Sequence, residues 1–325
     1  MRTNPTKRVI ATTLLSLALA SLLGAPSLEL VAKRQGYGTG RDIALHITEP
    51  LASLSHSLYL DRPREWLASA TGHEDPPTAA EFTAPPTTAP QTTTTTTTAT
   101  VPPTTAVPRR VPTKESPLKI WMGGDSLIGP ITNVMRRYIP NDPVSFTVDI
   151  QVATGLARPD VFEWTSELSK HMRDINPDVV ILSFGGNDDQ PMHTPDGGFA
   201  RIYTPEWQVE YARRVGIMMD IALGGGSRTV IWLGLPVERP EQLNTMKDKM
   251  NAAAVAEAAK RQHVLFADLG KLVNGPGGAY ADDLVYPGGE VVHSRERDGV
   301  HLTDAGAALV VPTIFEMFAH EWHLR

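Results

Sequence analysis

The chain has 325 residues, a formal net charge of -6 at pH 7, 41% hydrophobic and 20% charged residues, and no cysteine. At roughly 100–200 residues per domain, this allows one or two domains with a real core plus additional segments. The acidic balance leaves no basic footprint for nucleic acid, and the missing cysteines exclude disulfides, a thiol nucleophile and cysteine-ligated zinc.

Arg2, Lys7 and Arg8 precede an uncharged run from Val9 to Leu28, most apolar between Leu14 and Leu23. About 20 such residues span a bilayer core as a helix, and positive charges ahead of it favour the cytoplasmic side. Residues 1–28 are therefore expected to be a signal anchor in the cell membrane, single-pass, with the rest of the chain outside. Ala18-Leu19-Ala20 also fits a signal-peptide cleavage site, which would make the protein secreted, and both readings stay open. Residues 29–72 form an extracytoplasmic segment with no assigned role, although Asp61 to Leu67 reads as the opening of a short amphipathic helix. Residues 73–116 read as a linker. From Pro85 to Pro108 they are almost entirely Thr, Pro and Ala. Such a stretch has too little to bury to offset its ordering entropy, and its prolines keep it extended.

From residue 117 onward the pattern changes. Leu118 to Met122, Val144 to Val152, Asp178 to Phe184, Thr229 to Leu233 and Val264 to Ala267 read as strands. Between them, Asp160 to Ile175, Pro205 to Leu223 and Glu241 to Arg261 have helical spacing or composition. Thr303 is placed to cap a last helix reaching about Trp322. Alternating strands and helices predict an α/β domain over 117–325, a parallel five-stranded sheet covered on both faces. Functional groups in such a fold gather beyond the carboxyl ends of the strands.

Four polar clusters sit at such ends: Gly123-Gly124-Asp125-Ser126-Leu127, Ala153-Thr154-Gly155-Leu156, Gly185-Gly186-Asn187-Asp188 and Asp298-Gly299-Val300-His301. A serine hydroxyl needs an adjacent base to become a nucleophile. His301 can serve Ser126 in this way, and Asp298 can fix the imidazole tautomer and steady the imidazolium. The backbone N–H groups of Ser126 and Gly155 and the amide of Asn187 can supply an oxyanion hole. The long Gly-rich loops Asp189 to Thr204 and Gly275 to Arg297 are expected to overhang the site. Asp125, Tyr280, Tyr286, His293 and Arg295 are expected to contact substrate. Asp188, Asp189, His193, His293 and Asp304 match no metal-ligand spacing and read as solvated loop residues, so neither metal nor other cofactor is expected.

In order and content these four blocks resemble those of the SGNH (GDSL-type) hydrolase superfamily. The stretches Arg295 to Thr303 and Trp232 to Pro236 look like a branch catalogued only as a domain of unknown function. The resemblance covers about residues 117–325. It implies a three-layer α/β/α flavodoxin-like fold and metal-free ester hydrolysis or acyl transfer, with Ser126, Gly155, Asn187, Asp298 and His301 in the roles given above. With an exported, tethered domain, the expected substrate is O-acylated carbohydrate of the cell envelope, O-acetyl foremost, or another small ester. A lipase- or thioesterase-type hydrolase and a non-catalytic envelope-binding domain are the alternatives.

Overall fold

Strand β1 (Leu118–Gly124) forms because a short apolar run can be buried on both faces at once. Trp121 packs to one side of the sheet, while Leu118, Ile120 and Met122 pack to the other. β3 (Val179–Ser183) and β6 (Thr229–Leu233) are buried at every residue. The same alternation runs through both, with Val180, Leu182, Val230 and Trp232 on the Trp121 side. This is the signature of central strands in a parallel sheet. β2 (Val144–Ile150) and β7 (Val264–Ala267) are the edges, and the strand order is β2-β1-β3-β6-β7, parallel throughout. That is the flavodoxin-like order. The computed structural model describes residues 5–35, 39–58, 60, 109–139, 142–285 and 289–324.

Helices cover both faces. On the first lie α3 (Gly129–Tyr138) and α7 (Asp304–Ala319), burying Ile131, Met135, Val310, Val311 and Ile314. On the second lie α4 (Trp164–Asp174), α5 (Pro205–Leu223) and α6 (Glu241–Ala258), burying Trp164, Trp207, Met218 and Met250. The caps agree with the sequence. Thr204 Oγ1 accepts from Trp207 N–H to open α5, and Gly224 closes it in the left-handed region. Thr303 Oγ1 accepts from Gly306 N–H to open α7.

The helix expected from Asp160 starts four residues later, at Trp164. Glu163 is its cap, accepting from Ser166 N–H. The two long loops each contain a small hairpin: β4 (Met192–His193) with β5 (Phe199–Ala200), and β8 (Asp283–Val285) with β9 (Val291–His293). The packed chain also begins upstream of residue 117, since Arg109 binds Glu321 at 2.8 Å and Arg110 binds Asp178 at 2.5 Å.

N-terminal to the domain, α1 (Pro5–Arg34) and α2 (Thr39–Ser57) pack on one another. Arg158 donates to the carbonyls of Lys33 and Gln35, and Arg41 pairs with Asp160. Among the described residues no helix is long and apolar enough to cross a membrane. The Thr/Pro-rich stretch from Pro85 to Pro108 lies outside the described residues, as does the short helix expected from Asp61.

Candidate active site

The carboxyl end of β1 approaches β3 so closely that only glycine fits at its last position: a Cβ on Gly124 would lie 1.9 Å from the Ser183 carbonyl oxygen. The chain then turns. Asp125 caps a single 3-10 turn, Ser126–Ile128, and its Oδ1 accepts from Leu127 N–H at 3.0 Å. Ser126 is thereby placed at the head of the sheet, half-buried. His301 arrives from the loop before α7, and its Nε2 lies 2.7 Å from Ser126 Oγ. Its Nδ1 lies 2.7 Å from Asp298 Oδ2. The other oxygen of Asp298 accepts from the N–H groups of Val300 and His301, at 2.8 and 3.1 Å. Partial burial works to raise the Asp298 carboxyl. These N–H groups and the imidazole outweigh it, so the group lies below the usual carboxylate range and is ionised at neutral pH. With the ring proton on Nδ1, His301 donates to Asp298 and accepts from the Ser126 hydroxyl.

The Gly155 loop and the Asn187 loop meet beside this pair. Asn187 Nδ2 donates to the Thr154 carbonyl at 2.9 Å, and Trp164 Nε1 donates to Thr154 Oγ1 at 2.9 Å. No hydrogen bond to another described residue takes up the backbone N–H of Ser126 or of Gly155.

Several expected roles are corrected. Asp125 is fully buried, so it touches no substrate. Its Oδ2 accepts from Gly185 N–H at 3.0 Å and Gly186 N–H at 2.8 Å, which fastens the Ser126 turn to the Asn187 loop. Burial pushes its carboxyl up to about 6, against the N–H groups of Leu127 and Gly186. Asp188 is not a solvated loop residue: it too is fully buried, accepting from Ala157 N–H at 2.7 Å and Tyr211 Oη at 3.1 Å. Burial raises its carboxyl, and burial together with Asp188 raises the Tyr211 phenol. Arg295 is buried as well. It packs over the Tyr280 ring and, among the described residues, donates to the Val300 carbonyl and Asn274 Oδ1, both at 3.4 Å. A substrate contact is expected of Arg295 from the sequence, yet it sits at an isolated β-bridge with Leu302 and its side chain is fully buried.

Tyr280 donates to Asp282 at 2.7 Å, and exposed His293 pairs with Asp283 at 2.7 Å. Asp304 pairs with Arg137. Tyr286 lies outside the described residues. Sequence reasoning missed Lys247, whose Nζ donates to the Gly185 carbonyl and faces Glu238 at 3.2 Å, all out of solvent. An alanine- and methionine-rich helix gives no signal that one of its lysines points inward.

Residues 119–317 match the family described as a protein of unknown function (DUF459). The chain belongs to that family. This is the kind of branch that the stretches Arg295 to Thr303 and Trp232 to Pro236 had suggested. No curated protein matches the sequence. Among solved structures, the chain is similar to a family 3 carbohydrate esterase of Clostridium thermocellum, at 15% identity over 64% of this chain and 98% of that one, with a TM-score of 0.43. It is similar to the C-terminal catalytic domain of Streptococcus pneumoniae peptidoglycan O-acetyltransferase A, at 14% identity over 64% and 96% of the two chains, TM-score 0.41. A carbohydrate acetylesterase family member from Sinorhizobium meliloti matches at 10% identity over 63% and 99%, TM-score 0.43.

Proposed function

We propose that the domain is a serine esterase or O-acyltransferase that removes or transfers O-acyl groups, O-acetyl foremost, on carbohydrate of the cell envelope. The observation that carries the chemistry is the unbroken chain from Ser126 Oγ through His301 to Asp298, with both links at 2.7 Å. Ser126 Oγ attacks the ester carbonyl while His301 Nε2 takes its proton. The oxyanion of the tetrahedral intermediate is received by the free N–H groups of Ser126 and Gly155 and by the second N–H of Asn187. His301 returns the proton to the leaving alcohol, which departs and leaves Ser126 acylated. Water, or a sugar hydroxyl, then attacks the acyl-serine with its proton passing to His301, and the acid or the new ester leaves as the serine is restored.

The envelope is read from the charged, apolar N-terminus and the Thr/Pro-rich stretch, which together would hold an exported domain off a membrane, and the carbohydrate ester from the resemblance to SGNH hydrolases.

The test is turnover of p-nitrophenyl acetate, butyrate and octanoate by the full chain beside Ser126→Ala. Acetate turnover that falls steeply with chain length and vanishes in the variant supports the reading. Equal turnover by both proteins, or failure of Ser126 to take up a serine-directed phosphonate, would sink it and leave a binding domain.

A further inference from the structure

Helix α4 and edge strand β2 bring a second set of polar groups together. Glu167 and His171 are four residues apart on α4, so they share one helix face. Asp149, near the end of β2, meets them there. His171 Nε2 lies 3.0 Å from Asp149 Oδ2 and 3.1 Å from Glu167 Oε1. All three ligand atoms lie within 4.8 Å of one another. We propose that Asp149, Glu167 and His171 bind one zinc-type divalent cation.

Charge is the first argument. A single imidazole nitrogen offers at most one proton to two carboxylates, so the cluster has more acceptors than donors. Lys170 lies 3.9 Å from Glu167 Oε1, but its side chain is 60% exposed and its charge is screened by water. A divalent ion at the point where the three atoms converge neutralises both carboxylates.

Geometry is the second. Zinc binds imidazole nitrogen and carboxylate oxygen at about 2.0–2.2 Å in a tetrahedron, which sets ligand atoms about 3.3 Å apart. The 3.0 and 3.1 Å separations from His171 Nε2 need to open by a few tenths of an ångström, and the two carboxylate oxygens, within 4.8 Å of one another, need to settle at the same spacing. One nitrogen and two carboxylate oxygens suit zinc better than calcium or magnesium, which take oxygen alone. The ligands are also held in place. Gln151 Nε2 donates to Asp149 Oδ1 at 2.6 Å, leaving Oδ2 for the ion. The His171 ring packs 5.4 Å from the ring of fully buried Trp121. Side-chain exposures of 12–20% keep the three ligands largely dry, yet leave solvent access for a fourth, water ligand.

The ion would clamp edge strand β2 to α4 just before the Gly155 loop. Gln151 follows Asp149 by two residues, and its carbonyl accepts from Thr154 Oγ1 at 2.7 Å. The role is structural, so the inference stands whether or not Ser126 is a nucleophile.

The experiment uses the full chain stripped with chelator. Zinc titrated by calorimetry should bind one to one and raise the melting temperature. Cobalt(II) in its place should give the intense visible bands of a tetrahedral site. Asp149→Asn and His171→Gln should each weaken zinc binding at least tenfold and abolish those bands, while His293→Gln, at the exposed pair with Asp283, should change neither. Absence of saturable one-to-one binding overturns the proposal, and so does binding that survives in both ligand variants. Should those variants misfold, the wild-type cobalt spectrum decides: octahedral, weakly absorbing cobalt also overturns it.

Discussion

The carboxylate of Asp188 occupies the space that a side chain on Gly155 would need: a Cβ there would come within 2.1 Å of Asp188 Oδ1. The oxyanion-hole candidate is thus a glycine for a packing reason as well as for substrate access. Asp188 cannot easily give way, because it is buried and held by Ala157 N–H and the Tyr211 hydroxyl. Gly155→Ala should therefore displace the loop, destabilise the fold by about 1–3 kcal/mol and slow phosphonate labelling of Ser126 at least tenfold. Urea denaturation and labelling rates on the same preparation check both parts. Unchanged labelling would remove Gly155 from the proposed oxyanion hole.

Asp298 anchors its own loop and orients His301 with separate oxygens. In Asp298→Asn an amide N–H can face the ring, favouring the wrong tautomer. Ester turnover should fall by about 10³–10⁴-fold. The side chain is 49% exposed, so the melting temperature should move little. Steady-state kinetics beside a thermal melt separate the two effects, and a variant retaining more than a tenth of wild-type turnover would refute the assigned role.

Asp125 gives a pH signature in stability. Its pKa is raised from 3.8 to about 6, chiefly by burial. Between those values the folded chain keeps a proton that the unfolded chain has released. The group's stabilising contribution is therefore full below about pH 4 and is lost as pH rises through about 6, on the order of 3 kcal/mol in all. Denaturation midpoints of the wild type and Asp125→Asn, compared from pH 4 to 7.5, should show the wild-type advantage shrinking over that window and flat above it. A constant difference would contradict the assignment.

Lys247 and Glu238 are both nearly dry. Lys247→Met strands the Glu238 carboxylate and the Gly185 carbonyl and should cost about 3–5 kcal/mol. Adding Glu238→Gln should recover part of that loss, because the unpaired charge is then gone. A double variant no more stable than the single one would show that the pair is not coupled. Chemical denaturation of the four proteins closes the cycle.

Much of the domain was legible from local rules. The apolar runs at β3 and β6, Gly224 after α5 and Thr303 before α7 each report a constraint carried by a few neighbouring residues: burial on both faces, a left-handed exit, an N-cap. The candidate triad was legible for a related reason. Asp298 and His301 share one loop, and Ser126 and Asn187 sit at strand ends, where a parallel sheet gathers its polar groups. Burial in the polar loops was not legible. Asp125, Asp188, Arg295 and Lys247 look like surface residues in sequence, yet all are withdrawn from solvent: Asp125, Asp188 and Lys247 are held by backbone groups from distant segments, and Arg295 by the Val300 carbonyl and the Asn274 side chain.

By itself the sequence determined the order of strands and helices, the parallel sheet that this order forces, and the residue types present at its carboxyl end. Only the tertiary structure decided which carboxylates face solvent and which tie loops together, and that Asp149, Glu167 and His171 converge. Local patterns depend on neighbours along the chain. Whether a charged group is hydrated or buried depends on what long-range packing brings against it.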